Sequence, residues 1–133
     1  MDIDLADLVR QALLANGCDA SVLGNFDSHS TISLEFNTLP DMLLSLQNDQ
    51  VLIWMRLCEH HLPHIERCAP ALVTLLMEEA PYAITDQMQI SGDDGYTVLK
   101  CWVKPAALQD IDAFSNVLEA FYIRAEQFLE ALR

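Results

Sequence analysis

The chain has 133 residues, a length that fits one core, and we expect a single domain over residues 1–133. Hydrophobic residues make up 52% of the sequence, which excludes disordered and low-complexity chains. Twenty acidic against seven basic residues give a formal net charge of −13, which disfavours nucleic acid and membrane surfaces as partners.

The N-terminal part of the chain predicts a helix and then a strand. Apolar side chains recur every three to four positions over residues 3–16, and Asn16-Gly17 ends that run. Asp2 or Asp4 can cap the start of this helix. After a short linker, residues 31–36 alternate polar and apolar side chains, which is typical of a half-buried strand.

A hairpin of two further strands is predicted next. Met42, Leu44 and Leu46 alternate with more polar neighbours, and Asn48-Asp49-Gln50 supplies a turn before residues 51–57. The strand after the turn is apolar on both faces. We therefore expect it to be central in the sheet and covered on both sides.

A second helix is predicted from Pro63 to about Glu79, since proline suits a first helical turn and Pro81 follows. Pro70 should kink this helix or postpone its start. Apolar residues cover more than one helix face, which favours burial by a second copy of the chain. The expected dimer interface uses this helix, or as second choice the last hairpin, through five residues: Leu72, Val73, Leu76, Met77 and Trp102.

The C-terminal part predicts a second hairpin, residues 85–90 and 96–103, and a third helix from about Gln109 with one continuous apolar stripe. The order is helix, three strands, helix, two strands, helix. Sequential antiparallel pairing makes the expected fold class α+β with an antiparallel twisted sheet.

The densest group of metal-capable side chains spans residues 58–68: Cys58, His60, His61, His64 and Cys68. Its spacing fits neither a zinc finger nor the H-E-x-x-H pattern, because only His64 and Cys68 stand at i, i+4. We expect no metal and no other cofactor here. The four cysteines are expected to be reduced.

Other motifs give no catalytic site either. Asp27-Ser28-His29 places three catalytic residue types side by side, but a relay needs convergent geometry from separate elements. Asp93-Asp94 lacks the ligand pattern of a calcium loop, and a hairpin turn explains it. Trp54 and Trp102 lie in apolar strands and are expected in the core or an interface. No catalytic residue is assigned.

Several segments resemble one known family. They are Leu8-Val9-Arg10 with Leu13, Gly17-Cys18, residues 27–32, residues 51–54, and Phe114 with Phe121-Tyr122. These segments are similar to the class IB type III secretion chaperones of the SpaK/InvB group, over nearly the whole chain.

The resemblance implies a non-enzymatic, cytoplasmic homodimer. Such a protein binds the extended N-terminal segments of several secreted effector proteins, and the ATPase of the secretion apparatus is a further candidate partner. The acidic start of the chain, Met1 to Asp4, agrees with a cytoplasmic location because it lacks the positive region of a signal peptide. Two alternatives stay open: a small metal-dependent or hydrolytic enzyme, and a dimeric adaptor for a folded partner.

The effector-binding groove is expected between the first helix and the first strand, since each offers an apolar face. Six residues are its candidates: Leu5, Leu8, Val9, Ile32, Leu34 and Phe36. Plain core packing is the alternative for each of them.

Overall fold

The predicted order of elements is confirmed in a computed structural model that describes residues 4–17 and 31–133. A short 3₁₀ turn, Pro105–Leu108, precedes the last helix. The elements are α1 (Leu5–Ala15), β1 (Ile32–Leu34), β2 (Met42–Gln47), β3 (Gln50–Glu59), α2 (Leu62–Met77), β4 (Gln89–Asp93), β5 (Tyr96–Trp102) and α3 (Ile111–Ala131).

The strands form one antiparallel sheet in the order β1-β2-β3-β5-β4, which places β3 at the centre as predicted. The β2-β3 hairpin closes through Asn48 and Asp49, whose φ angles of 52° and 63° lie in the left-handed region. Asn and Asp enter this region more readily than other non-glycine residues, so the turn fits the residues that the sequence supplies.

Among the residues that the structure describes, β3 is covered by helices on one face only, which corrects the prediction of cover on both faces. Val51, Ile53 and Met55 are fully buried and face the helices, whereas Leu52 and Trp54 point to the other face and are only half-buried. Within the described chain, the second face of the sheet therefore keeps apolar side chains in contact with solvent.

The first strand of the last hairpin lies further along the chain than predicted, whereas the second strand, Tyr96–Trp102, lies where it was predicted. Strand β4 begins at Gln89 instead of residue 85, and residues 91–93 pair with β5 although their composition suggests a loop. Two residues form the turn, Asp94 and Gly95, with φ angles of 52° and 84°. Pairing with a long neighbouring strand overrides the weak strand propensity of Ser, Gly and Asp.

Helix α2 runs without interruption from Leu62 through Pro70 to Met77, so Pro70 does not postpone its start. The hydroxyl of Thr74 donates to the Pro70 carbonyl at 2.9 Å. The helix ends two residues before the predicted position because the chain is already extended at Glu78.

Side-chain caps fix the starts of the two helices that build the site. Asp4 accepts from the Asp7 amide at 3.1 Å, and Asp110 accepts from the Ala113 amide at 2.7 Å. Helix α3 packs against α1, α2 and β3. Its apolar stripe forms the centre of the core, where Phe114, Phe121 and Phe128 are fully buried.

Candidate functional site

An open pocket lies where α1 ends, between β1, β2 and α3. Its volume is about 430 Å³, which falls within the range of roughly 300–1,000 Å³ found for ligand pockets. The part of its lining that the structure describes is mostly apolar and consists of Leu13, Asn16, Leu34, Phe36, Met42, Leu118, Glu119 and Tyr122.

The lining residues form a floor, walls and a rim. Buried side chains of Leu34, Met42 and Leu118 make the floor. Half-buried Leu13, Phe36 and Tyr122 make the walls. Exposed Asn16 and Glu119 stand at the rim.

Two contacts hold the walls in place. The rings of Phe36 and Tyr122 meet edge to face, with centroids 5.1 Å apart and planes inclined by 64°. The hydroxyl of Ser115 donates to the side-chain oxygen of Asn16 at 2.7 Å and ties the end of α1 to α3. The pocket is therefore built from groups that are already positioned before any ligand arrives.

The six residues predicted for the groove divide between the core and the pocket. Leu34 and Phe36 line the pocket. Leu5, Val9 and Ile32 are at most 2% exposed, so the structure places them in the core. Leu8 is half-buried, packs against the core and lies outside the pocket lining.

Sequence reasoning missed the contribution of α3 to this pocket. Leu118 and Tyr122 stand one turn apart at i, i+4, and Glu119 lies beside them. The apolar stripe of α3 identifies the face of the helix that is buried. Periodicity does not show which residues of that face pack in the core and which line a pocket. Leu13, one turn after Val9, could have been found by extending the predicted face of α1.

A second apolar surface lies on α2. Val73 and Met77, at i, i+4 on this helix, are 53% and 72% exposed. Leu76 is half-buried, and Leu72 is buried in the core of its own chain. The interface predicted on this helix is thus divided between core and surface.

Trp102, the remaining residue predicted for the interface, lies on the open face of the sheet. It pairs with Leu52 across β3 and β5. The carbonyl of Trp102 accepts from the amide of Ile84, whose side chain is 41% exposed. The open face therefore continues into the turn that precedes β4.

Two of the three histidines of residues 58–68, His60 and His64, make structural contacts through their side chains. Nδ1 of His60 lies 2.9 Å from the hydroxyl oxygen of buried Thr97. Nε2 of His64 donates to the Leu132 carbonyl at 2.6 Å, at the end of α3. Among residues 4–17 and 31–133, no three His, Cys, Asp or Glu side chains are grouped so that they could hold a metal ion.

Cys101 is expected to resist alkylation in the folded protein. Its side chain is 1% exposed, and burial raises the pKa of the thiol to about 12. A thiol with that pKa is almost fully protonated at pH 8, and the thiolate is the nucleophile. Iodoacetamide treatment at pH 8, followed by peptide mass mapping, should leave Cys101 unmodified in native protein and label it in urea. Labelling at equal rates in both states would contradict the described burial.

The acidic turn of the last hairpin has partners within the chain. The Asp93 carboxylate accepts from the Ser91 hydroxyl at 2.9 Å and lies 3.4 Å from the Lys100 ammonium. The Ser91 hydrogen bond, with Lys100, lowers the pKa of Asp93. These contacts agree with the predicted hairpin turn. The run Asp27-Ser28-His29 lies outside the described residues.

No helix in the described part of the chain combines the length and the apolar character needed to cross a membrane.

Solved structures share this fold at low sequence identity. One is a chain of the heterodimeric complex ExoU-SpcU from the type III secretion system of Pseudomonas aeruginosa, with a TM-score of 0.58 and 17% identity over 94% of this chain and 98% of that chain. Another is YbjN from E. coli, with a TM-score of 0.57 and 14% identity over 95% of this chain and 87% of that chain.

Sequence comparison gives a more specific result. Surface presentation of antigens protein SpaK from Salmonella typhimurium is 36% identical over 130 residues, covering 98% of this chain and 96% of the relative, and SpaK from Salmonella typhi matches equally well. The model of the Invasion protein B family matches residues 17–94. The chain therefore belongs to the Invasion protein B family, the group of type III secretion chaperones that its sequence resembles.

Proposed function

We propose that this protein is a cytoplasmic export chaperone that binds an extended segment near the N-terminus of secreted effector proteins and keeps it unfolded until export. The observation that carries the proposal is the apolar pocket beside the edge strand β1. Membership in a family of secretion chaperones supports it. Binding alone performs this function, and the proposal requires no cofactor.

The position of the pocket suits an extended peptide. Strand β1 is at the edge of the sheet, and in the described residues it pairs only with β2. A peptide added to such an edge satisfies the free backbone groups and directs every second side chain to the same face. Since Leu34 of β1 also forms the pocket floor, an added strand would bring alternate side chains close to the pocket.

The experiment that tests this function compares three forms of one secreted protein encoded near this gene. They are the full protein, its isolated N-terminal segment, and the protein without that segment. A chaperone for extended segments should bind the first two with similar dissociation constants by isothermal titration calorimetry and should not bind the third. An adaptor for a folded partner would bind the third form and fail to bind the isolated segment.

Leu13→Asp should weaken binding of the N-terminal segment by about tenfold or more, because it places a charge in the wall of a pocket that receives apolar anchors. Leu14→Asp is the matched control, since Leu14 is adjacent on α1, 48% exposed and outside the pocket lining. Titration calorimetry gives the dissociation constants, and thermal unfolding shows whether each variant folds. Equal affinities for two folded variants would place the binding site elsewhere.

The proposed assembly is a homodimer through the exposed face of α2. Val73 and Met77 form an apolar pair on the surface of a chain that otherwise carries a large negative charge. Burying such a pair against a second copy would remove it from water without requiring another protein. Association with the ATPase of the secretion apparatus is a further part of the proposal and follows from the family resemblance alone.

A further inference from the structure

The rim of the pocket carries a charged group, Glu119, over an apolar interior. Among the described residues that line the pocket, Glu119 is the only charged side chain, and it is exposed. Its carboxylate forms no hydrogen bond or ion pair with any residue that the structure describes. In contrast, the Asp86 and Asp93 carboxylates each pair with a lysine of the same chain.

The other rim group does not neutralise this charge. The side-chain oxygen of Asn16 already accepts from the hydroxyl of buried Ser115, and the Asn16 side chain carries no charge. Among the described lining residues, a ligand that enters the pocket therefore meets apolar walls, an aromatic pair and one negative charge. The net charge of −13 attracts cations generally, but salt limits its reach to about 8 Å at physiological ionic strength. A local carboxylate is needed to select a position along a bound segment.

We propose that Glu119 makes the pocket specific for segments in which an apolar anchor is accompanied by Lys or Arg two positions away. This inference rests on the proposed function. In an extended segment, residues two apart lie on the same side, roughly 7 Å from each other. When the anchor fills the pocket, the basic side chain at that spacing reaches the rim, and its methylene groups lie along the apolar wall while its charge meets the carboxylate.

Selection from a phage-displayed library of random peptides tests this specificity. The immobilised baits are the wild-type protein, Glu119→Lys and Tyr122→Ala. Peptides that bind the wild type but not Tyr122→Ala, which alters a pocket wall, are those that depend on the pocket. Glu126→Lys is the control for net charge, because Glu126 is exposed on the same helix, outside the pocket lining, and about 10 Å away along the helix axis. Circular dichroism checks that all four baits fold.

We expect the pocket-dependent peptides selected by the wild type and by Glu126→Lys to carry Lys or Arg two positions from an apolar residue. Peptides selected by Glu119→Lys should carry Asp or Glu at that same position. For one synthetic peptide from the wild-type set, Glu119→Gln should raise the dissociation constant about two- to fivefold, as for an exposed ion pair. Pocket-dependent peptides without a charge preference would overturn this inference and leave the proposed pocket intact. Failure to select any pocket-dependent peptide would overturn both.

Discussion

Phe121→Ala is expected to lower the free energy of unfolding by about 3–5 kcal/mol. Phe121 is fully buried at the centre of α3, the helix that packs against α1, α2 and β3. Truncation to alanine removes the transfer free energy of the ring and leaves a cavity between layers that cannot fully collapse. Urea unfolding followed by circular dichroism, at one fixed protein concentration, measures this change.

The matched control is Ile123→Ala on the same helix. Ile123 is 47% exposed, so its truncation should change the free energy of unfolding by less than about 0.5–1 kcal/mol. The two variants share the backbone, the helix and the new residue, and they differ in burial. Similar losses in both would contradict the placement of the α3 stripe in the core.

Much of the fold could be predicted because local signals and packing agree. The apolar stripe of α3 and the turn at Asn48-Asp49 each indicate the structure that is found. The end of β4 could not be predicted in this way. Residues 91–93 are poor strand formers that pair because β5 lies beside them, and a long-range partner leaves no local signal.

The site was predicted less completely than the fold. Apolar periodicity showed that α1 and β1 each have a buried face. It does not separate core residues from groove residues, because both recur at the same spacing along that face. Leu5 and Val9 are fully buried on α1, the helix that packs against α3, whereas Leu13, one turn further along α1, reaches the open end. The difference depends on where the packing of α3 against α1 ends. Only the packed structure contains that information.

The fold alone does not determine the function. YbjN from E. coli and a chain of the ExoU-SpcU complex resemble this structure about equally, although both are less than 20% identical to it. The family assignment comes from the sequence relatives, and the pocket with its rim charge is what gives the proposed function a testable location.

Replacing both Val73 and Met77 by aspartate is expected to convert the proposed dimer into monomers of about 15 kDa. In a two-fold symmetric interface each substitution occurs twice, so the double variant places four carboxylates in one apolar contact. Desolvating unpaired charges costs several kcal/mol, which should raise the dissociation constant by about a hundredfold or more. Sedimentation equilibrium at micromolar concentration measures the mass of the wild type and the variant.

Folding of the double variant should be preserved, because both side chains are more than half exposed in the single chain. Leu14→Asp is the control, since it places the same charge on an exposed leucine of α1, outside the proposed interface, and should leave the dimer intact. A monomeric wild type would contradict the proposed assembly. A folded double variant that remains dimeric would instead show that the interface does not use this face of α2. The next surface to alter would then be the open face of the sheet around Trp102, which Leu52 and Ile84 extend on either side.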